Sequence, residues 1–185
     1  MKGESDMANE IVLGSGVLYA MAFTGTLPTD EALEATANEL GKIKGGASVE
    51  YKPTEYEVKD DLGTVQRRFI TSEEVTMKSG ILTWNAETLS KLVAKGTYND
   101  NSTTHVRTLK IGGLGAREMD KYVLRFVHTD GEGHKFRATI VGTASNGMTL
   151  AFAPDKETVV DATFKAMGHD ADGTQLILSE EYEAA

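Results

Sequence analysis

The chain has 185 residues, 28 acidic against 19 basic side chains, a formal net charge of −9 and no cysteine. That length can bury a core as one domain with or without arms, while the missing cysteines exclude a disulfide framework and thiolate metal sites. The acidic balance argues against binding to phosphate backbones, which takes a basic surface, and no stretch approaches the roughly 18–20 apolar residues of a membrane span.

Residues 1–10 are polar and aperiodic and read as a flexible N-terminal arm. The run Met1-Lys2-Gly3-Glu4-Ser5-Asp6 is too polar and acidic for a signal peptide, so the expectation is a soluble chain made in the cytosol. Strand pattern starts near Ile11, with Gly14-Ser15-Gly16 suggesting a bend or bulge before Val17, Tyr19 and Met21 alternate towards Phe23. Over 24–46 the pattern lapses into a long loop or a short helix. Such a helix would start at Pro28-Thr29-Asp30-Glu31, carry Leu33, Ala37 and Leu40 at helical spacing, and stop at Gly41.

From Ala47 the alternation is strict. Ala47, Val49 and Tyr51 point one way and Ser48, Glu50 and Lys52 the other, the mark of a half-solvated strand. Asp60-Asp61-Leu62-Gly63 supplies a turn, and the run from Val65 to Trp84, rich in Thr, Val, Ile and Phe, returns as the second limb of a long hairpin. That limb exceeds the usual strand of about 5–6 residues, so the hairpin is interrupted or projects beyond the body of the domain.

A helix follows. Asn85 as N-cap, Glu87 in the first turn, a Trp84–Leu89 staple and Gly96 as the stop predict it over Ala86–Lys95, with Ala86, Leu89, Leu92 and Val93 on one stripe. Isolated helices below roughly 12–15 residues are marginal in water, so this one must dock on the sheet. Thr97 to Thr104 reads as a polar loop. The remainder is a meander whose turns are Gly112-Gly113 with Gly115, Asp130-Gly131-Glu132-Gly133, Asn146-Gly147, Pro154-Asp155 and Asp170-Ala171-Asp172-Gly173.

Between the turns lie strands presenting Tyr122, Leu124 and Phe126; Phe136, Ala138 and Ile140; Met148, Leu150 and Phe152; Ala162, Phe164 and Ala166; and Leu176 and Leu178. Asn146-Gly147 is the strongest single hairpin signal, of type I′. Together these features predict a mainly β fold: an antiparallel β-sandwich or barrel with one short flanking α-helix at about 85–95. It would occupy a single domain over 11–182, with a C-terminal tail at 183–185.

Chemistry is not indicated, and no catalytic, cofactor-binding or metal-binding residues are expected. His128 and His134 flank Asp130 and Glu132 across a turn but lack a third nearby ligand. His169-Asp170-Ala171-Asp172-Gly173 has the texture of a calcium loop, yet its glycine comes too early and no closing glutamate follows. The glycines at 112, 113 and 115 precede no helix with a lysine, and Gly14-Ser15-Gly16 has the wrong spacing for a nucleophile elbow. Arg67-Arg68 beside Phe69 suits surface ion pairs better than nucleic acid, and Trp84 suits the core better than a sugar platform.

The order and spacing of these features resemble the tail tube, or major tail, proteins of long-tailed bacteriophages. The resemblance is carried by the glycine-interrupted strand Ile11 to Phe23, by Gly41-Lys42-Ile43-Lys44-Gly45-Gly46-Ala47-Ser48-Val49-Glu50-Tyr51, and by Asp60-Asp61-Leu62-Gly63. It continues through the strand ending in Trp84 before the helix, Thr163-Phe164-Lys165-Ala166, and Asp172-Gly173-Thr174. It implies a non-enzymatic virion protein, assembled in the host cytoplasm, whose copies form stacked hexameric rings around a hollow tube. Its partners would be itself and the tape-measure, tail terminator and baseplate proteins, with no cofactor and no membrane. DNA would pass through without specific binding.

Under that resemblance the candidate lumen or inter-subunit residues are Glu50, Glu55, Glu57, Asp60, Asp61 and Glu73, since an acidic lumen repels phosphates. The arm 1–10 and the segment 24–46 are candidates for ring stacking. The alternative from another class is a monomeric β-sandwich binding module, an adhesin or carbohydrate binder on a virion or cell surface.

Overall fold

The structure, a computed structural model, describes residues 16–63, 66–113 and 118–182. The expected arm at 1–10, the first strand before Gly16, Val65, Gly115 and the tail 183–185 lie outside the described residues. The element order is β1 (Val17–Ala22), α1 (Asp30–Leu33), a 3-10 turn (Thr36–Asn38), β2 (Ile43–Lys59), β3 (Gln66–Ile81) and α2 (Ala86–Lys91). There follow β4 (Gly96–Asn101), β5 (Val106–Ile111), β6 (Tyr122–Thr129), β7 (Lys135–Ala144), β8 (Val160–Ala166) and β9 (Leu176–Glu180).

The fold is mainly β and antiparallel, as the alternation predicts. Six strands run in the order β1-β6-β7-β8-β3-β2, β9 joins β7, and β4-β5 stand apart as a two-stranded sheet. The large sheet forks at β7. One edge of β7 pairs with β6 from Tyr122↔Gly142 to Thr129↔Lys135. Its other edge is shared, with β9 opposite Phe136–Ile140 and β8 opposite Gly142–Ala144. Gly142 permits this crowding, because a Cβ there would sit 2.4 Å from the carbonyl oxygen of Lys165.

Alternation explains the core. Leu18 and Ala20 of β1, Leu124 of β6, Ala138 and Ile140 of β7, Ala162 and Phe164 of β8, and Val75 and Met77 of β3 share one face and one buried cluster. Leu89 and Leu92 join it, so the helix docks by its apolar stripe. The opposite face is also covered: Leu33 packs on Val123 and Val141, with Tyr19, Met21, Phe23 and Met167 around them.

Four expectations are corrected. First, α2 ends at Lys91 rather than Lys95: Leu92 is the C-cap and bonds back to Leu89 O at 3.1 Å. Leu92 and Val93 are both buried and Gly96 already pairs with Ile111, so tertiary contacts override the helical propensity of 92–95. The start is as expected, with Asn85 accepting from Thr88 N at 2.9 Å. Second, Thr97 to Asn101 is not loop but strand. Its polar residues pair with β5, Arg107 meets Asp100 at 3.1 Å, and Asn101 Oδ1 caps the amides of Thr103 and Thr104 in the turn.

Third, the helix foreseen near 29–40 is only α1, capped by Thr29. Asn38 Nδ2 donates to Ala32 O and Leu33 O and closes it after one turn. Ala35 is extended and Ala37 exposed, which breaks the foreseen stripe while Leu33 and Leu40 stay fully buried. Fourth, Met148–Phe152 forms no strand, and Asn146-Gly147 is not a type I′ turn, because Asn146 is not among the positive-φ residues. The edges of β8 are already occupied. Ser145 N donates to Thr163 O, Thr163 N to Asn146 Oδ1, and β3 fills the other side. Met148 and Leu150 still pack on the core, and exposed Phe152 meets the edge of Trp84 at 6.2 Å.

Candidate assembly surface

The long hairpin foreseen in the sequence is β2–β3, paired throughout with two register shifts. The first, between Lys44 and Ala47, is made by Gly45 and Gly46 at φ 81° and 75°, a left-handed backbone that a side chain would strain. At the second, Thr71 is the extra residue, and its hydroxyl donates to Thr54 O at 3.1 Å. Val49, Val75 and Met77 fasten the base of the hairpin to the core. Beyond it, Tyr51–Lys59 and Gln66–Glu74 are exposed, so this half projects.

The six candidate carboxylates do not gather. Alternation and register put Glu55, Glu57 and Glu73 on one face of the hairpin and Glu50 on the other, with Asp60 and Asp61 at the turn. Glu50, Glu57 and Glu73 are engaged through their carboxylates. Glu50 meets Lys52 at 3.0 Å and Lys78 at 3.3 Å, and these hydrogen bonds hold its carboxyl below the usual range. Glu57 meets Lys59 at 3.0 Å and Arg68 at 3.2 Å, and Glu73 accepts from the Tyr51 hydroxyl at 2.5 Å. Asp60 O accepts from Gly63 N at 3.0 Å and closes the turn. Residues 43–81 carry seven acidic and six basic side chains, so the hairpin is close to neutral.

What the projecting half does display is apolar. Tyr56 stands directly opposite Phe69 and Val58 opposite Arg67, placing three exposed hydrophobic side chains on one face. Leu62 caps the turn at 85 % exposure. The outer edge of β2 has no partner strand among the described residues, nor has that of β9. An open edge offers a row of backbone donors and acceptors to another chain. Pro53 breaks that row on β2, having no N–H to give, so a partner strand could zip only along 47–52 or 54–59.

No protein-family model matches the chain, and no curated protein matches it. The site therefore has to be read from its geometry. Among the described residues no group of three or more His, Asp or Glu side chains could hold a metal ion. His134 Nδ1 lies 3.2 Å from Asp130 Oδ2 within the β6–β7 turn, and His169-Asp170-Ala171-Asp172-Gly173 is a turn closed by Gly173 N on Asp170 O.

The sequence reading missed a buried ionic cluster on the outer face of β6 and β7. Glu34 accepts from Arg137 Nε at 2.6 Å, Lys135 Nζ at 2.8 Å and Arg125 Nη1 at 3.2 Å. Arg125 also reaches Asp30 at 2.6 Å and the Thr139 hydroxyl at 2.9 Å, and Arg137 reaches Glu181 at 2.7 Å. Burial raises the Glu34 carboxyl, but the hydrogen bonds from Lys135 and Arg137 and their charges outweigh it and leave it lowered. A signal existed: Arg125 sits between Val123 and Val127, and a cation in the middle of an apolar strand face demands a carboxylate.

Proposed function

We propose that the chain is a structural, self-assembling subunit of a hollow tube, built as the phage tail tube resemblance implies, in which copies join edge to edge into rings and the rings stack. The observation that supports it most is the projecting half of β2–β3. It is ordered as a ladder yet buries nothing in its own molecule, carries Tyr56, Val58 and Phe69 on one face, and leaves its outer edge open.

A second copy supplies what is missing. Two different open edges, β2 and β9, favour head-to-tail contacts, which close into rings or advance into filaments. The near-neutral hairpin offers DNA no cationic foothold, and the chain's charge of −9 opposes binding elsewhere. Size-exclusion chromatography with light scattering, followed by negative-stain microscopy across a concentration series, tests the reading. Rings or tubes are expected. A strict monomer at high concentration defeats the proposal and favours the monomeric binding module.

A further inference from the structure

A third outer edge of the large sheet, that of β1, is closed from within the molecule. Leu40 N donates to Leu18 O at 2.8 Å and Glu39 bridges Tyr19, so the end of the segment 29–40 occupies part of the edge where another strand would pair. The same segment lays Leu33 over Val123 and Val141 on the outer face. Its own structure is slight: α1 has four residues, too few to persist undocked. Beside Leu33, Leu40 and the backbone pairing of 39–40 with β1, the ionic cluster holds it down.

We propose that residues 29–40 are an acid-released latch, fastened by Glu34, which keeps the β1 edge and the apolar face behind it from pairing with a second copy. The latch itself is independent of the tube reading; only the partner of the freed edge rests on it. The groups that face Glu34 are Asp30 on its own helix, Arg125 from β6, Lys135 and Arg137 from β7, Tyr19 from β1 and, through Arg137, Glu181 beyond β9. Protonating Glu34 removes the anion between three cations: Lys135 and Arg137 lose their bonds to the segment, while Arg125 keeps Asp30 and Arg137 keeps Glu181. Its carboxyl is lowered in the folded chain, so the fastening is complete above the ordinary value of 4.5 and is lost as pH falls through the folded-state value.

Native-state hydrogen exchange on the full chain tests this. As pH is lowered from about 7 to the most acid condition in which Leu124 and Ile140 stay protected, Leu40 amide protection, corrected for intrinsic rate, should fall about tenfold or more while Leu124 and Ile140 keep theirs. In Glu34→Gln the Leu40 protection should already be reduced at neutral pH and respond little to acid. Leu40 protection that holds in acid, or that falls only together with Leu124 and Ile140, overturns the latch. If Glu34→Gln fails to fold, the wild-type series decides alone. Rings at neutral pH with an unyielding Leu40 would sink the latch and spare the tube, whereas a permanent monomer whose Leu40 opens in acid would do the reverse.

Discussion

Glu34, Arg125 and Arg137 expose a tenth or less of their side chains, and the one carboxylate pairs with both guanidiniums. Removing one partner of a buried pair costs about 3–5 kcal/mol, and Asp30 and Glu181, which still pair Arg125 and Arg137, hold the loss here to the lower end of that range. Glu34→Ala should therefore lower stability by that order in urea unfolding at neutral pH, and the deficit should shrink on acidification, because the wild-type carboxylate loses its advantage as it protonates. A deficit that is constant with pH would mean that packing, not charge, holds the site. The need for this cluster was legible in the sequence, since Arg125 interrupts Val123 and Val127 and Arg137 precedes Thr139 and Val141 at strand spacing. Its partner was not, because Glu34 lies 91 residues from Arg125 and only the sheet order brings them together.

At the scale of elements, patterns of period two carried most of the fold. β6, β7 and β8 lie where the alternating apolar residues place them, and β2–β3 lies where the Asp60-Asp61-Leu62-Gly63 turn folds it. The failures have one physical source. Gly96–Asn101 becomes strand and Met148–Phe152 does not because pairing depends on whether a neighbouring edge is vacant, which local propensity does not report. The hairpin's function should be equally separable from its folding. Tyr56→Ser with Phe69→Ser removes exposed apolar surface that no part of the subunit covers, so urea stability should stay within about 0.5 kcal/mol of wild type while sedimentation shows assembly weakened at least about tenfold. Unchanged assembly would exclude this face from the contacts.

For the whole molecule, the acidic excess lies outside the hairpin whose carboxylates the sequence offers as candidates for the lumen or for contacts between subunits. Glu50, Glu57 and Glu73 replaced together by Lys would turn the hairpin strongly basic. Assembled material should then retain double-stranded DNA at low salt and release it as salt rises, whereas the wild type should not retain it. Retention by neither would place the hairpin away from the channel wall. The fork at β7 was beyond sequence reasoning, because it rests on Gly142 lying against Lys165 rather than on any periodicity. It also has a mechanical meaning. The ladder joining the β8-β3-β2 arm to the rest narrows to three residue pairs, Gly142↔Ala166, Thr143↔Lys165 and Ala144↔Phe164, where β6 and β7 share eight. So narrow a seam is the least-paired line of the large sheet, and if copies assemble as proposed, a curved wall of them would take up part of its bending there, inside each subunit, rather than only at the joints between copies.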